Sequence, residues 1–176
     1  RHAGVVGVTN LNARLRELLN PKQPGLAEIA LGGEVLREDD RVMVAKNDYK
    51  LGLFNGDVGK VVRIDRKKKE IEIKIHGPPA IQVLIPFRSA PALLRMAYAI
   101  TVHKSQGMEY DTIVIPVLNS FGPQLQRRLY YTAITRAKRR VVLVGTVDAL
   151  RSAVGNTRED ARNTLFLERL RAVSPA

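Results

Sequence analysis

The hydrophobic periodicity of the chain changes twice, and this constrains the fold more than any other feature of the sequence. Leucines at helical spacing over residues 11–19 give way to short β-type apolar runs between about 41 and 87. Helical spacing and continuous apolar runs then alternate in the rest of the chain. Closely spaced short strands predict a small barrel of hairpins, whereas strands that alternate with helices predict a parallel sheet flanked by helices. We therefore expect an α/β protein that carries an inserted β-barrel.

The first two parts of this pattern predict one helix and four strands. The helix is amphipathic, is capped by Thr9 or Asn10 and ends at Asn20-Pro21. Its apolar stripe consists of Leu11, Leu15, Leu18 and Leu19. The strands of the inserted part are expected at Val42 to Ala45, Gly59 to Ile64, Ile71 to Ile75 and Ile81 to Ile85. Asn55-Gly56 and the polar segment 65–69 supply turn residues between them.

Beyond residue 88, helices and strands are expected to alternate. A helix opened by Ser89 and Pro91 is predicted to run toward Lys104. Strands are predicted at 113–115 and 141–144, and Pro116 is expected to end the first because proline cannot donate to a central ladder. The helix between them is marked by Leu125, Leu129 and Ala133, and terminal helices are expected at 148–154 and 164–170. Residues 1–38 and 91–176 would then form the α/β domain and residues 39–90 the inserted barrel.

The charge of the chain favours a polyanionic partner. Lys and Arg number 29 against 17 Asp and Glu, which gives a formal charge of +12. Nucleic acid is the leading candidate, and a basic surface that serves only solubility is the alternative. The absence of cysteine excludes disulfides, thiol chemistry and cysteine-ligated zinc, and no other metal site is predicted. No apolar run approaches the roughly 18 residues of a membrane span and no secretory signal opens the chain, so we expect a cytoplasmic protein without a membrane partner.

Polar side chains concentrate in residues 101–109, between a predicted helix and a predicted strand. The segment reads Thr-Val-His-Lys-Ser-Gln-Gly-Met-Glu. Ligands of open α/β sheets bind where loops meet the ends of helices and strands, and a glycine such as Gly107 lets backbone N–H groups approach a phosphate. An ordinary solvated loop has the same composition, so the segment by itself leaves both interpretations open.

A second cluster, residues 130–140, is rich in arginine. Arg128, Thr132 and Arg136 recur at intervals of four beside the apolar stripe of the predicted helix. A guanidinium held there by packing is well placed to bind a phosphate in a bidentate manner. The alternative is an intramolecular arginine–carboxylate pair, and the spacing does not decide between the two.

Both clusters resemble motifs of a known family. Residues 97–107 (AYAITVHKSQG) and 131–137 (YTAITRA) closely resemble helicase motifs V and VI of RecD-like superfamily 1 DNA helicases, the family of exodeoxyribonuclease V alpha subunits. Three further segments are similar to the same family, namely residues 11–21, 46–57 and 161–169. The resemblance spans nearly the whole chain.

The resemblance implies a fold and a set of site residues. Residues 1–38 and 91–176 would be the second RecA-like motor domain, and residues 39–90 an inserted SH3-like barrel. In motif V, the residues that would contact the backbone of single-stranded DNA are Thr101, His103 and Lys104, and those that would face the nucleotide are Gln106, Gly107 and Glu109. In motif VI, Arg136 would be the arginine finger, which neutralises charge on the transferred phosphoryl group. Movement in the 5′ to 3′ direction is implied by the resemblance alone.

The residues that hold the triphosphate are expected elsewhere. The sequence contains neither a Gly-x-x-x-x-Gly-Lys-[Ser/Thr] loop nor a recognisable magnesium-binding acidic pair. Gly59-Lys60 fails the pattern because position 54 is Phe and position 61 is Val. We therefore expect ATP and Mg²⁺ to bind in a full-length enzyme whose N-terminal RecA-like domain supplies the loop. The chain alone is expected to bind no cofactor and to be inactive.

A lysine-rich turn is the remaining candidate for DNA contact. Lys67, Lys68 and Lys69 suit a solvated turn first and a contact to DNA phosphates second. Two alternatives to the motor remain open. One is a non-catalytic nucleic-acid-binding module, which would act independently of nucleotide, and the other is an assembly domain that docks onto subunits of a nuclease–helicase complex.

Overall fold

The computed structural model describes residues 6–31, 33–77 and 79–157. The chain divides into two compact units, residues 1–107 and residues 108–176. The helix expected at 164–170 and the family-like segment 161–169 lie outside the described residues. No helix in the described ranges is both long enough and apolar enough to cross a membrane.

The first unit opens with a helix and a hairpin. Helix α1 (Val8–Leu19) starts after Gly7 and ends at Asn20, so the predicted end is confirmed. The predicted cap is wrong, because Thr9 and Asn10 lie inside the first turn of the helix. Strands β1 (Glu28–Leu31) and β2 (Glu34–Arg37) form an antiparallel hairpin that the sequence did not predict. These strands are only four residues long and mix charged with apolar residues, so they carry little periodic signal.

A five-stranded antiparallel sheet forms the main body of the first unit. Its strands are β3 (Arg41–Val44), β4 (Val58–Asp65), β5 (Glu70–Ile75), β6 (Ile81–Pro86) and β7 (Leu94–Met96). The order is β6-β5-β4-β3-β7, so the four predicted strands are confirmed and β6 and β7 are the two edges of an incompletely closed barrel. Fully buried side chains from four of the strands and from the β3–β4 loop fill its core, namely Val44, Leu53, Val61, Ile71, Ile73 and Ile85. Each such aliphatic side chain contributes about 1.5–3 kcal/mol by leaving water.

The long helix predicted from Ser89 toward Lys104 is wrong. Ser89 and Pro91 do open a helix, but α2 (Ala90–Leu93) lasts a single turn. The chain then becomes extended as β7, which pairs antiparallel with β3 from Leu94 opposite Val44 to Met96 opposite Val42. Backbone pairing to an existing strand edge thus overrides the local helical spacing of the apolar residues.

The face that α1 buries also differs from the prediction. Leu18 and Leu19 are 77% and 66% exposed, whereas Asn12 and Arg16 are buried. The leucine stripe therefore does not form the main contact of this helix. Its buried face is polar, and the partners of these side chains belong to the functional site described below.

In its described residues, the second unit contains a two-stranded parallel sheet, two α-helices and a 3₁₀ helix (Asn119–Gln124). Strands β8 (Tyr110–Val117) and β9 (Ala137–Gly145) pair in parallel through most of their length. Helix α3 (Arg127–Ile134) connects them, and helix α4 (Val147–Gly155) follows β9, as predicted. Asn156 ties the two helices together, because its backbone oxygen accepts from Arg127 N at 3.0 Å and its Nδ2 donates to Leu125 O at 2.8 Å.

Strand β8 runs two residues beyond its predicted end. Pro116 lies opposite Val144, and the strand ends at Val117. In the described sheet β8 is hydrogen-bonded to β9 alone, and a strand with one free edge tolerates a proline that lacks an N–H donor. Gly145 ends β9 where a Cβ atom would overlap the Val117 carbonyl group, so this position requires glycine.

Candidate nucleic-acid and nucleotide interface

The segment that leads into residues 101–107 is held to β3 and α1 by backbone and side-chain hydrogen bonds. Ala97 N donates to Arg41 O at 2.9 Å, which extends the pairing of β7 with β3 by one residue. Two residues later, Asn12 of α1 makes a pair of hydrogen bonds with the backbone of Ala99. Its Nδ2 donates to Ala99 O at 3.0 Å, and its Oδ1 accepts from Ala99 N at 2.8 Å. The conformation of this segment is therefore set before the polar cluster begins.

Asp40 is the centre of a buried polar network beside this segment. Its carboxylate is fully buried and accepts from Tyr98 Oη, Asn20 Nδ2 and Arg37 N, all at 2.8–2.9 Å. The guanidinium of Arg16 lies 4.0 Å from the same carboxylate. A buried carboxylate is costly unless it is hydrogen-bonded and paired, and here it has both kinds of partner. The network joins α1, the loop before β3 and the segment after β7.

Burial raises the pKa of Tyr98 to about 12, and the hydrogen bond to Asp40 adds to the shift. Both causes favour the neutral phenol, since ionisation would place a second negative charge beside Asp40. Tyr98 is thus a donor to Asp40 throughout the neutral pH range.

Residues 101–107 form a tight turn that separates exposed from buried side chains. A 3₁₀ helix (His103–Ser105) follows Thr101, whose carbonyl oxygen accepts from Lys104 N at 3.0 Å and Ser105 N at 3.1 Å. Ser105 is buried and its hydroxyl donates to Val102 O at 2.8 Å. His103 and Lys104 are exposed, so the turn presents an imidazole and an ammonium group to solvent.

Gly107 ends this turn in the left-handed region, with φ at +82° and open space where a side chain would be. Glycine adopts this conformation at no steric cost, and the bare backbone allows a ligand to approach closely. Gln106 before it is exposed, in an extended conformation. Both residues have the exposure that a nucleotide contact requires.

Glu109 and Arg136 lie at the same end of the parallel sheet in the second unit. Tyr110 N donates to Arg136 O at 2.9 Å, so the residue after Glu109 is bonded directly to Arg136. Glu109 itself is exposed and forms an ion pair with Lys138 at 3.1 Å. The two predicted nucleotide residues of this unit are thereby brought together at the amino ends of β8 and β9.

The Arg136 side chain is half-buried and partly immobilised. It follows the C-terminal end of α3, where its Nε donates to Thr132 O at 3.2 Å and its Nη2 to Thr135 Oγ1 at 3.2 Å. Within the described part of the chain, Arg136 has no ion pair with a carboxylate. The alternative of an intramolecular arginine–carboxylate pair therefore has no partner there. Donor groups of the guanidinium remain unused, and Arg has five in all.

Lys67, Lys68 and Lys69 form the turn between β4 and β5, with exposed side chains. Asp65 Oδ1 accepts from the backbone N–H groups of Lys67 at 3.0 Å and Lys68 at 2.9 Å, and these bonds lower the pKa of its carboxyl group. Lys69 has φ at +57°, a left-handed conformation. The turn is thus well defined while its three ammonium groups point away from the sheet's core. These lysines belong to the first unit, as do residues 101–107.

The structure adds three residues that the sequence did not single out, namely Asn12, Asp40 and Tyr98. One signal was present, because Asn12, Arg16 and Asn20 recur at intervals of four along α1. Polar residues at helical spacing on the buried side of a helix indicate a hydrogen-bonded contact instead of apolar packing. Their hydrogen-bond partners lie from 18 to 87 residues away in the sequence, which periodicity alone cannot reveal.

Comparison with known proteins assigns the chain to a family. Residues 11–75 match the family model described as the ATP-dependent RecD-like DNA helicase SH3 domain, and residues 96–144 match that of the UvrD-like helicase C-terminal domain. The chain is 35% identical over 174 residues to the ATP-dependent RecD2 DNA helicase of Deinococcus radiodurans. It belongs to the RecD-like superfamily 1 helicases. The alignment covers 96% of this chain and 22% of that relative.

A second relative and two solved structures agree with this family. The RecD subunit of the RecBCD enzyme of Mycolicibacterium smegmatis is 34% identical over 135 residues, which cover 74% of this chain and 22% of the relative. Bacteroides Pif1 bound to single-stranded DNA superimposes with a TM-score of 0.59 at 20% identity, over 97% of this chain and 44% of that chain. The complex of Bacteroides Pif1 helicase with ADP-AlF3 and single-stranded DNA superimposes with a TM-score of 0.57 at 20% identity, over 94% of this chain and 42% of that chain. The structural likeness confirms the expected fold class, an SH3-like domain combined with a RecA-like helicase domain.

Proposed function

We propose that this RecD-like chain is the second motor domain of an ATP-dependent DNA helicase. Residues 1–38 and 91–176 would form the RecA-like domain, and residues 39–90 the inserted SH3-like barrel. The chain spans 22% of the length of the two relatives described above, so the proposal assigns the activity to a larger protein that would contain it. The name of the Deinococcus relative, an ATP-dependent DNA helicase, supports the reaction.

The DNA contact is assigned to the exposed side of the motif V turn. Thr101, His103 and Lys104 would contact the backbone of single-stranded DNA, with the ammonium group of Lys104 paired to a phosphate. His103 and Lys104 are exposed on a turn whose preceding segment is fixed by Asn12, which supports this role. The second contact to phosphates is assigned to Lys67, Lys68 and Lys69. Neither contact reads base sequence.

The nucleotide contact is assigned to the residues that follow. Gln106, Gly107 and Glu109 would face ATP, and the open left-handed backbone at Gly107 suits approach of a phosphate or ribose oxygen. Glu109 is engaged by Lys138 in an exposed ion pair. Such pairs contribute only about 0–1 kcal/mol, so Glu109 is readily released to a ligand.

The function depends most on one observation, the state of the Arg136 guanidinium. It is half-buried, oriented by Thr132 and Thr135, and lacks a carboxylate partner among the described residues. A positive charge oriented in this way is available to an anion, and as an arginine finger it would stabilise charge on the γ-phosphoryl group during transfer. This is the chemistry that the chain itself would supply to an ATP site.

The rest of that ATP site would come from another part of the protein. The described residues contain no group of three or more His, Asp or Glu side chains placed to hold a metal, so we assign no magnesium ligand to them. In this proposal the N-terminal RecA-like domain of the same protein provides the phosphate-binding loop and the Mg²⁺ site. The chain alone then hydrolyses no ATP and binds no cofactor.

Motif V would couple the two contacts. Thr101 on the DNA side and Gly107 on the nucleotide side are separated by one short turn that the buried Ser105 anchors. A shift of the turn when ATP binds would move the DNA-contacting residues by the same amount. Translocation would run 5′ to 3′, in the cytoplasm, without a membrane partner. The protein would act alone or with nuclease–helicase subunits, since one relative is a RecBCD subunit.

The proposal is tested in the full-length protein by replacing Arg136. Arg136→Ala and Arg136→Lys should each lower DNA-stimulated ATPase and unwinding rates by about 10³- to 10⁵-fold, because loss of an arginine finger has that effect. Affinity for single-stranded DNA should change less than threefold. Arg151→Ala is the matched control, since Arg151 is an exposed arginine of the same unit whose ion-pair partner among the described residues is Asp148, three residues earlier. It should retain full activity.

The same measurements separate the two alternatives. Near-normal unwinding by Arg136→Ala would show that the finger assignment is wrong. DNA affinity of the wild-type protein that does not respond to nucleotide, combined with no ATPase activity, would favour a non-catalytic binding module. Activity that appears only after addition of nuclease–helicase subunits would favour the assembly domain.

A further inference from the structure

Two aromatic side chains project together from the long loop between β3 and β4. Tyr49 and Phe54 are 76% and 52% exposed, and their ring centroids lie 6.2 Å apart with the ring planes at 76°. The chain has only five Tyr and four Phe and no Trp. Two of nine aromatic rings are thus placed side by side in solvent, where they contribute little to the core. Paired exposed rings of this kind are typical of a binding surface.

The loop that carries the two rings is rigid. Asp48 and Leu53 exchange both of their backbone hydrogen bonds, at 2.8 and 2.9 Å. Leu53 is fully buried, so it anchors the loop in the core of the barrel between the two rings. The side chains of Asn47, Asp48 and Asp57 accept backbone N–H groups inside the loop, from Asn55, from Lys50 and Leu51, and from Phe54 respectively. The rings are therefore preorganised, and binding would order little additional chain.

Two lysines flank the rings. Lys46 and Lys50 are exposed, and neither forms an ion pair with any residue that the structure describes. The two carboxylates of the loop, those of Asp48 and Asp57, are directed to its own backbone N–H groups. The groups left for a ligand are two aromatic rings and two ammonium groups. Rings stack on bases and ammonium groups pair with phosphates, a combination typical of sites for single-stranded nucleic acid.

We propose that Tyr49 and Phe54 form a stacking platform for unpaired bases of single-stranded DNA, with Lys46 and Lys50 at the adjoining phosphates. Because the rings are nearly perpendicular, a base stacks on the face of one ring while the other ring lies beside the edge of that base. Every base has an aromatic face, so the platform binds DNA without preference for sequence. This inference rests on the proposed function, in which the chain binds single-stranded DNA.

The platform is distinct from the other proposed DNA contacts of the same unit. Its loop precedes β4, whereas the turn of Lys67, Lys68 and Lys69 follows the end of that strand. The eight residues of β4 separate the two by about 26 Å, at roughly 3.3 Å per residue. Residues 97–107 leave the sheet beside Arg41, at the end of β3 away from the loop. The lysine turn and motif V are assigned to phosphates, while the platform binds the bases.

The test compares DNA with and without bases. Binding of the full-length protein to oligo(dT) and to an abasic oligonucleotide of equal length is measured by fluorescence anisotropy. Tyr49→Ala combined with Phe54→Ala should weaken oligo(dT) binding by about 5- to 100-fold, the effect of losing a stacked base. The same variant should bind the abasic oligonucleotide as the wild type does. Leu84→Ala is the matched control, because Leu84 is a 53% exposed apolar residue of the same barrel, and it should change neither affinity.

A second variant distinguishes base stacking from apolar docking. Tyr49→Leu combined with Phe54→Leu keeps an apolar surface without aromatic faces, so it should bind oligo(dT) as weakly as the alanine variant. If the leucine variant binds like the wild type, or the alanine variant loses affinity equally for both oligonucleotides, the platform is not a stacking site. Wild-type protein that binds neither oligonucleotide would contradict the proposed function itself. Unchanged melting temperatures of all variants show that the fold is retained.

Discussion

At the scale of single residues, Asp40 shows how a charge is kept inside a small domain. Its carboxylate is fully buried and accepts three hydrogen bonds from three different segments of the chain. Oδ1 accepts from both Tyr98 and Asn20 and Oδ2 accepts from Arg37 N, so loss of any donor would leave the buried charge less well compensated. The residue therefore specifies one arrangement of α1, the β2–β3 loop and the strand that leads into motif V.

Tyr98 makes the stability of the domain depend on alkaline pH. Its pKa is about 12 in the folded chain against 10.0 for an unperturbed tyrosine. A folded-state pKa above the unfolded value means that the stabilisation is complete below about pH 10 and is lost as the pH rises toward 12. We expect the free energy of unfolding, measured with urea, to fall over this window.

Tyr98→Phe separates this residue from the other tyrosines. The variant should be less stable than the wild type at pH 7, because Asp40 loses a donor, and the difference should narrow above about pH 10. Tyr110 and Tyr130 also have pKa values raised by burial and titrate in both proteins, so they cancel in the comparison. A difference that stays constant up to pH 12 would contradict the assignment.

The residues of the candidate site could be predicted only in part. The motif resemblance pointed to Gly107 and Arg136, and the structure places them in an open left-handed turn and after the end of a helix. The four-residue spacing of Asn12, Arg16 and Asn20 indicates a polar buried face but not its partners. The role of Tyr98 could not be predicted, because its partner is distant in the sequence. A side chain that acts on backbone far along the chain carries no local motif.

At the scale of secondary structure elements, α1 is held by hydrogen bonds where a leucine stripe was expected. We predict that Asn12→Ala lowers the free energy of unfolding by about 1–3 kcal/mol, since both backbone groups of Ala99 lose their partner. Arg14→Ala, on the exposed side of the same helix, should change it by less than about 0.5 kcal/mol. Urea denaturation of the three proteins measures both effects. Equal effects of the two substitutions would show that the Asn12 contact contributes nothing specific.

The elements that were predicted correctly share one property. Strands β4 and β5 alternate or run apolar over six to eight residues, and α3 has an apolar stripe, so each carries its own signal. The errors occurred where pairing with another element decided the structure. Residues 94–96 have apolar spacing that suits a helix, yet they complete the edge of the sheet beside β3.

At the scale of the whole molecule, the formal charge of +12 makes us expect that DNA binding weakens with salt. The contribution of individual basic residues to that salt dependence can be measured separately. For single strands, each neutralised phosphate contributes about −0.7 to the slope of log K against log salt. Replacing Lys67 and Lys68 by Gln and Lys69 by Gly should therefore make the slope for oligo(dT) about 2 units less steep. Glycine is chosen at position 69 because that residue has φ at +57°. Fluorescence anisotropy titrations at several salt concentrations give the slopes.

The control for this prediction removes the same charge elsewhere. Arg14, Lys22 and Arg151 are exposed, and their joint replacement by Gln changes the net charge by the same three units. That variant should keep the wild-type slope. Equal changes in both variants would mean that the basic surface acts as a whole and that the β4–β5 turn makes no particular contact.

The polar buried face of α1 also limits which mutations the helix can tolerate. Apolar interfaces accommodate a helix that slides or rotates slightly, but hydrogen bonds to Ala99, Asp40 and Glu38 require particular donors at particular places. Inserting or deleting one residue between Asn12 and Asn20 would turn one end of the helix by about 100° relative to the other. One of the two asparagines would then face solvent. We therefore expect single-residue insertions and deletions between Asn12 and Asn20 to destabilise the fold, whereas point substitutions on the exposed side of the helix should be tolerated.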